Sequence, residues 1–293
     1  MINILLLGGS GFIGKNVVEY YNNNENINLE YPGSKELDLL DEKKVSERLK
    51  SKFYDVVLNF ALYIDLIDKT KDASKVLEYN LRMYYNLAKC NHLYGRMFYL
   101  GSGAEYNKEY SIVNVKEEEI GENIPVDQYG LMKYIIGRDV ENSNNIYNLR
   151  LFGIFGKYEN YSQRFISNTI CKILFNLPIT INQNVIFDYL YIDDFLFILN
   201  KLINSTNLQY HTYNVCAGNK ISLIEICDAL FDIIGTKQKI VIKKDGFQNE
   251  YTGCNSRLLN EFPDITITDY KIAFDRLYNW YKSNITNIDI KKL

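Results

Sequence analysis

The feature that most constrains this chain is a glycine cluster directly after its first apolar run. Residues 2–7 read Ile-Asn-Ile-Leu-Leu-Leu, the pattern of a buried strand. Gly8-Gly9-Ser10-Gly11-Phe12-Ile13-Gly14 follows at once, ahead of a run from Lys15 to Tyr21 that suits a helix. Glycines at 8, 11 and 14 permit a tight turn, close approach of backbone to a pyrophosphate, and close helix–strand packing. The helix N-terminus adds free N–H donors and the positive end of a dipole. The spacing is G-x-x-G-x-x-G rather than the commoner G-x-G-x-x-G, and a ligand-free glycine turn is the plain alternative; the position between strand and helix weighs against it. Gly8, Gly11, Phe12, Ile13 and Gly14 are therefore candidate dinucleotide contacts.

The same alternation continues downstream. Apolar runs of strand length recur at 55–61, 97–101, 147–152 and 212–216, with helical periods at 12–22, 42–51, 73–92 and 129–142. This predicts an α/β fold with a doubly wound, Rossmann-type parallel sheet. Past residue 153 the alternation weakens, with helix-like segments at 162–176, 192–204, 221–235 and 270–283, which predicts a smaller C-terminal α/β lobe. Residues 1–156, rejoined by about 188–217, form the expected dinucleotide-binding domain. Residues 157–187 and 218–293 form the expected substrate-binding lobe, with a cleft between the two.

Composition closes off other classes. A chain of 293 residues that is 47% hydrophobic can bury a substantial core. A net charge of -3 from 33 basic and 36 acidic side chains provides no cationic field for nucleic acid. The five cysteines show no C-x-x-C spacing, so neither a disulfide framework nor a metal site is expected, and a reducing cytoplasm fits best. The run Ile4–Leu7 is too short to span a membrane, and the asparagine-rich stretch 22–28 reads as a solvated loop.

The second half of the cofactor site is harder to read. An acidic residue about 20 positions beyond the glycines would hold the ribose hydroxyls of NAD. Here Glu30 stands mid-strand in Ile27-Asn28-Leu29-Glu30-Tyr31-Pro32, and no arginine follows to grip a 2′-phosphate, though Ser34 and Lys35 could. NAD(H) and NADP(H) both stay open, with NADP(H) the favoured of the two.

Four Tyr-x-x-x-Lys spacings occur, at Tyr31/Lys35, Tyr85/Lys89, Tyr129/Lys133 and Tyr278/Lys282, so the spacing alone carries little. Only Tyr129/Lys133 lies on a predicted helix following the strand Phe98-Tyr99-Leu100-Gly101-Ser102. That strand ends in a hydroxyl at the sheet edge where ligands bind in open α/β folds. A capping serine is the plain alternative for Ser102.

With these residues in place, the chain closely resembles the extended short-chain dehydrogenase/reductases, the branch that contains nucleotide-sugar epimerases, 4,6-dehydratases and 4-ketoreductases. The resemblance spans nearly the whole chain. It rests on the glycine motif, Asp38-Leu39, Asn59-Phe60-Ala61, Asn80 and Leu100-Gly101-Ser102-Gly103-Ala104-Glu105-Tyr106. Further support comes from Tyr129-x-x-x-Lys133, Arg150-Leu151-Phe152-Gly153-Ile154-Phe155-Gly156, Tyr191-Ile192-Asp193-Asp194 and Tyr213-Asn214-Val215. The segment 35–41 and the Leu-Gly-Ser lead-in look most like GDP-fucose synthase and related 4-keto-6-deoxysugar reductases. The resemblance implies Asp38 and Leu39 at adenine and Phe60, Ala61 and Asn80 along the cofactor. It implies Tyr129 as the proton donor or acceptor, with a pKa lowered by Lys133 and the oxidised nicotinamide. Lys133 would also hold the nicotinamide ribose, and Ser102 would hydrogen-bond the sugar oxygen. It further implies a nucleotide-sugar substrate and a homodimer built on the helices at 73–92 and 129–142.

Departures narrow the chemistry. Gly153 and Phe187 replace an asparagine and an arginine of many relatives, so the substrate diphosphate needs other anchors; Arg164, Arg257 and Lys157 are the nearest cations, and Gly103, Ala104 and Tyr158 complete the expected substrate contacts. The cysteine and histidine that serve C3/C5 epimerisation in GDP-fucose synthase correspond to Ala104 and Tyr158, and Gly103-Ala104-Glu105 lacks the Asp-Glu pair of dehydratases. Simple C4 reduction survives these subtractions. A C4 epimerase and a non-catalytic dinucleotide binder are the alternatives.

Overall fold

The computed structural model describes residues 1–64 and 72–293. The N-terminal part runs β1 (Ile2–Leu7), α1 (Phe12–Tyr21), β2 (Ile27–Glu30), α2 (Glu42–Ser51), β3 (Tyr54–Asn59), α3 (Val76–Ala88), β4 (Tyr94–Ser102), β5 (Ile112–Val115), α4 (Gln128–Val140) and β6 (Ile146–Leu151). The C-terminal part adds β7 (Gly153–Phe155), α5 (Phe165–Leu174), β8 (Ile179–Asn184), β9 (Ile186–Tyr191), α6 (Ile192–Asn204), β10 (Thr212–Val215), β11 (Lys220–Ser222), α7 (Leu223–Ile234), β12 (Ile240–Phe247), β13 (Tyr251–Gly253), α8 (Ser256–Glu261) and α9 (Tyr270–Ser283).

Six strands form one fully parallel sheet in the order β10-β6-β4-β3-β1-β2. Side chains alternate across it with the period of a strand. Ile4 and Leu6 join one core with α1, α5, α6, α7 and α9, while Leu5 and Leu7 join another with α2, α3 and α4. Both faces are covered, which is why the central strands read as continuous apolar runs. The fold is the Rossmann-type α/β arrangement expected from the sequence.

The smaller sheets were less visible beforehand. β11-β9-β13-β5 form a mixed sheet with β7 added on β9, and β12 pairs with β8. β5, β7, β11 and β13 are three or four residues long, too short to show a period.

One expectation needs correction. Glu30 is the last residue of β2 rather than mid-strand, because Tyr31 onward leaves the register with β1. The C-terminal helix α9 packs on α5 and α7, while α3 packs on α2 and α4.

Candidate active site

Register brings the site together at one edge of the parallel sheet. Leu7 pairs with Asn59, Asn59 with Tyr99, and Ser102 with Leu151, so β1, β3, β4 and β6 all end along the same rim. A cleft of about 1040 Å³ opens there. It is lined by Phe12 and Ile13 from α1, Phe60 and Ala61 after β3, Ser102 and Ala104 after β4, Tyr129 and Lys133 from α4, and Arg164 at the start of α5.

The glycine turn has the shape a dinucleotide needs. Gly8 adopts φ +93°, and a Cβ there would meet the Phe60 carbonyl at 2.7 Å. At Gly14 a Cβ would fall 2.1 Å from the Gly8 oxygen, so helix and turn touch backbone to backbone. At Gly11 the nearest atom to a Cβ is 3.4 Å away, which leaves open space in front of α1. Gly11 caps α1 without a side-chain acceptor, and the first turn holds no acidic residue, so its orphan N–H groups are left for an anion.

The other expected cofactor residues fall differently. Asn80 is buried and fastens the loop after β3: its amide donates to the Tyr63 and Val76 carbonyls at 2.8 and 2.7 Å, and its oxygen accepts the Tyr63 N–H at 2.8 Å. It therefore supports Phe60 and Ala61 from behind. Leu39 is buried in the core beside α2 and α3, and exposed Asp38 accepts the Leu40 amide at 3.0 Å. Glu30, Tyr31, Lys44 and Arg48 line a separate depression of about 500 Å³ beyond the turn, in which Glu30 accepts from Arg48, Lys52 and Tyr54.

Ser102 has two tasks. It caps the 3-10 turn Gly103–Tyr106, its Oγ accepting the Ala104 amide at 3.1 Å, and it lines the same cleft as Tyr129. The capping and functional readings of this serine are thus compatible. Its own amide donates to Glu105 Oε1 at 3.1 Å. Glu105 is fully buried and accepts from Arg150 and from the Asn148 amide, a brace that sequence reasoning missed.

Lys133 does not reach the Tyr129 hydroxyl. Its ammonium donates to the Leu100 carbonyl at 2.6 Å, lies 4.5 Å from the Tyr99 ring centre and 5.7 Å from that of Tyr129. Burial pulls its pKa down to about 8, against Glu105, which raises it. Burial holds the Tyr129 phenol above its ordinary value, opposed by the neighbouring Ser102 hydroxyl and then by the charge of Arg164. The Lys108 and Lys133 ammonium groups lie 5.8 and 5.7 Å from its ring centre.

Among the expected substrate contacts, Ala104 lines the cleft and Gly103 does not: Gly103 is buried, and a Cβ there would stand 2.7 Å from the Tyr251 hydroxyl and 2.7 Å from Phe152. Arg164 is exposed on the cleft wall. Tyr158 and Arg257 are not among the lining residues. Tyr158 donates to Glu19 at 2.9 Å, and Arg257 is held by Glu118, by the Thr212 carbonyl at 2.9 Å and by the Tyr210 ring. Lys157 is likewise paired, with Glu19 at 2.6 Å. Phe187 and Tyr189 line the cleft, whereas Asp188 between them turns to the Ala217 and Gly218 amides. Lys108 and Tyr251 are cleft residues that the sequence did not single out; both come from short loops or strands with no recognisable spacing.

Among the described residues no helix is long and apolar enough to cross a membrane, and no cluster of His, Cys, Asp or Glu has metal-binding geometry. Residues 4–216 match the model of the NAD dependent epimerase/dehydratase family, and the chain belongs to that family. It is 25% identical over 270 residues to the ADP-L-glycero-D-manno-heptose-6-epimerase of Brachyspira hyodysenteriae, covering 78% of this chain and 80% of that one. It is 24% identical over 265 residues to the GDP-L-colitose synthase of Yersinia pseudotuberculosis, covering 83% and 85%. In fold it is similar to UDP-glucose 4-epimerase of Thermotoga maritima (TM-score 0.82, 16% identity, covering 97% of this chain and 100% of that one). It is also similar to a GDP-L-fucose synthetase from Naegleria fowleri bound to NADP (TM-score 0.81, 18% identity, covering 97% and 94%).

Proposed function

We propose that the protein is an NAD(P)-dependent oxidoreductase that reduces a nucleoside-diphosphate-4-keto-6-deoxysugar at C4, with Tyr129 as proton donor. The observation that carries this reading is the convergence of Ser102, Tyr129 and Lys133 in one cleft beside the glycine turn. Family membership and the bare N-terminus of α1 support a nicotinamide dinucleotide, which when bound supplies the hydride. Residues 1–156 and 188–217 hold it, with Gly8, Gly11 and Gly14 admitting the pyrophosphate and Phe12, Ile13, Phe60 and Ala61 walling the ring end. Lys133 holds the nicotinamide ribose. Ser102 orients the sugar oxygen and Tyr129 delivers its proton. Residues 157–187 and 218–293 hold the sugar nucleotide, and Arg164 with Lys108 provides the positive charge facing its diphosphate.

C4 epimerisation is the second reading, since it uses the same three residues and a 4-epimerase shares the fold at a TM-score of 0.82. The deciding experiment offers GDP-, CDP-, UDP- and dTDP-4-keto-6-deoxysugars with NADH and NADPH, and the corresponding C4-hydroxy nucleotide sugars with NAD+ and NADP+. A reductase consumes reduced coenzyme stoichiometrically and adds two hydrogens to the keto sugar. An epimerase inverts C4 of a hydroxy sugar with no net consumption of coenzyme, and a dinucleotide binder without catalysis does neither.

We also propose a cytoplasmic homodimer in which α3 and α4 meet their symmetry mates. Tyr84 and Leu87 are buried within the chain, which leaves 41%-exposed Tyr85 as the large outward side chain of α3. Light scattering should give a dimer mass that Tyr85→Glu splits; a monomeric parent would end this assignment.

A further inference from the structure

A capping box has no need of a buried charge. In Ser102-x-x-Glu105 the Ser102 Oγ accepts the Ala104 amide and Glu105 Oε1 accepts the Ser102 amide, each at 3.1 Å, a task that a solvated glutamate performs equally well. Here the glutamate is 0% exposed, and taking a carboxylate out of water is costly unless donors surround it. The donors come from β6: Arg150 Nε donates to Oε2 at 2.5 Å, and Asn148 Nδ2 lies 3.2 and 3.1 Å from the two oxygens.

Two glycines make room for the carboxylate. A Cβ at Gly101 would stand 2.6 Å from Oε1, and one at Gly137 would stand 2.5 Å from Oε2. Gly101 precedes Ser102 on β4. Gly137 follows Tyr129 and Lys133 on α4 at successive spacings of four, so the three share one face of the helix. The turn that carries Glu105 also meets the start of α4, where a Cβ at Gly130 would be 2.9 Å from the Ala104 carbonyl oxygen. One carboxylate is thus wedged between the strand end bearing Ser102, the neighbouring strand, and the helix face bearing Tyr129 and Lys133.

We propose that Glu105 is a positioning residue: held by Arg150 and Asn148, its carboxylate sets where Ser102 stands relative to the face of α4 that carries Tyr129 and Lys133. Both oxygens face N–H donors, Ser102 and Asn148 at Oε1, Arg150 and Asn148 at Oε2. A carboxylate satisfies all of them, whereas a side-chain amide sets N–H against N–H at one of the two places. The effect on turnover rests on the reductase reading above; the hold on Ser102 does not.

The test reads Ser102 and the rate separately in the full chain. The Ser102 amide is followed by 1H–15N NMR after selective serine labelling and is assigned by its loss in Ser102→Ala. Glu105→Gln can serve Arg150 or the Ser102 amide but not both, and the charge-assisted bond to Arg150 is the stronger. The Ser102 amide proton should therefore move upfield. In the folded variant kcat should fall ~10-fold or more, while KM and dinucleotide affinity stay within about twofold of the parent. Gly137→Ala displaces the carboxylate but keeps its charge, including its support of the charged form of Lys133, and must give the same two changes. Tyr106→Phe is the control for stability alone: it removes the hydroxyl that accepts from Arg150 and donates to Asn214, and it leaves the Ser102–Glu105 bond in place. It should lower the unfolding midpoint with kcat unchanged. A parental kcat in folded Glu105→Gln or Gly137→Ala, an unmoved Ser102 signal, or an equal loss of kcat in Tyr106→Phe overturns the proposal. So does failure of both Glu105→Gln and Gly137→Ala to fold, which would make the carboxylate a support of the fold alone. In a protein that turns over none of the sugar panel, a moved Ser102 signal still supports the positioning role, while the reductase reading falls.

Discussion

The Arg150 guanidinium and the Glu105 carboxylate meet at 2.5 Å with neither side chain exposed to solvent. The pair lies directly beneath the reaction centre, since Glu105 also receives the Ser102 amide. Glu105→Gln leaves the guanidinium with only the partly exposed Glu141, 3.8 Å away, as counter-charge, and losing the buried partner of such a pair costs about 3–5 kcal/mol. Urea unfolding should show a lower midpoint with an unchanged slope. A midpoint equal to the parent's would mean that the core accommodates the lone charge.

Tyr129→Phe removes the proton donor and keeps the ring. Turnover should fall by ~100-fold or more, while folding and dinucleotide affinity persist. Tyr85→Phe and Tyr278→Phe, from two of the other Tyr/Lys spacings, serve as controls and should turn over normally. Near-parental rates in the Tyr129 variant would move the proton donor elsewhere.

The glycine turn predicts two different failures. Gly11→Val projects its branches into the open space before α1, so the chain should fold but lose dinucleotide binding in a fluorescence titration. Gly14→Val drives a carbon into the Gly8 carbonyl, 2.1 Å away, so folding itself should fail. If Gly11→Val binds both NADH and NADPH normally, the pyrophosphate does not sit there.

Glu159 is buried in the cleft wall, where Ser167 donates to it at 2.6 Å and burial lifts its pKa from 4.5 to about 8. The folded chain thus holds a proton that the unfolded chain releases between those values, and stability falls as pH rises through this window. Glu159→Gln keeps the acceptor and removes the titration. Relative to the parent, it should gain stability on the order of a few kcal/mol between pH 4.5 and 8, read from urea midpoints across pH. Parallel pH profiles for the two proteins would show that Glu159 does not titrate there.

The sheet was legible because strand and helix periods alternate along the chain, and the nucleotide turn because its glycines stand between the first strand and the first helix. Strand runs at 2–7 and 212–216 and helices at 42–51, 192–204 and 270–283 agree with the observed elements to within a residue. Ser102, Tyr129 and Lys133 could be selected because they follow a strand end and a helical spacing. Tyr251 could not, since it stands on a three-residue strand whose partners lie 139 and 64 positions back in the chain (251 − 112 and 251 − 187). Arg257 and Tyr158 misled for the converse reason. Chain position brought them near the cleft, but ion pairing and hydrogen bonding, which spacing does not encode, hold them away from it.

The return of β10 to the outer side of β6 has a consequence for synthesis. Until Thr212–Val215 leaves the ribosome, β6 is the exposed border of an otherwise finished sheet, with its N–H and C=O groups unpaired along that side. The nascent chain must therefore carry a sticky strand through the interval in which residues 152–211 are made. A stalled or truncated product ending before Thr212 would present that border to its neighbours as a template for aggregation.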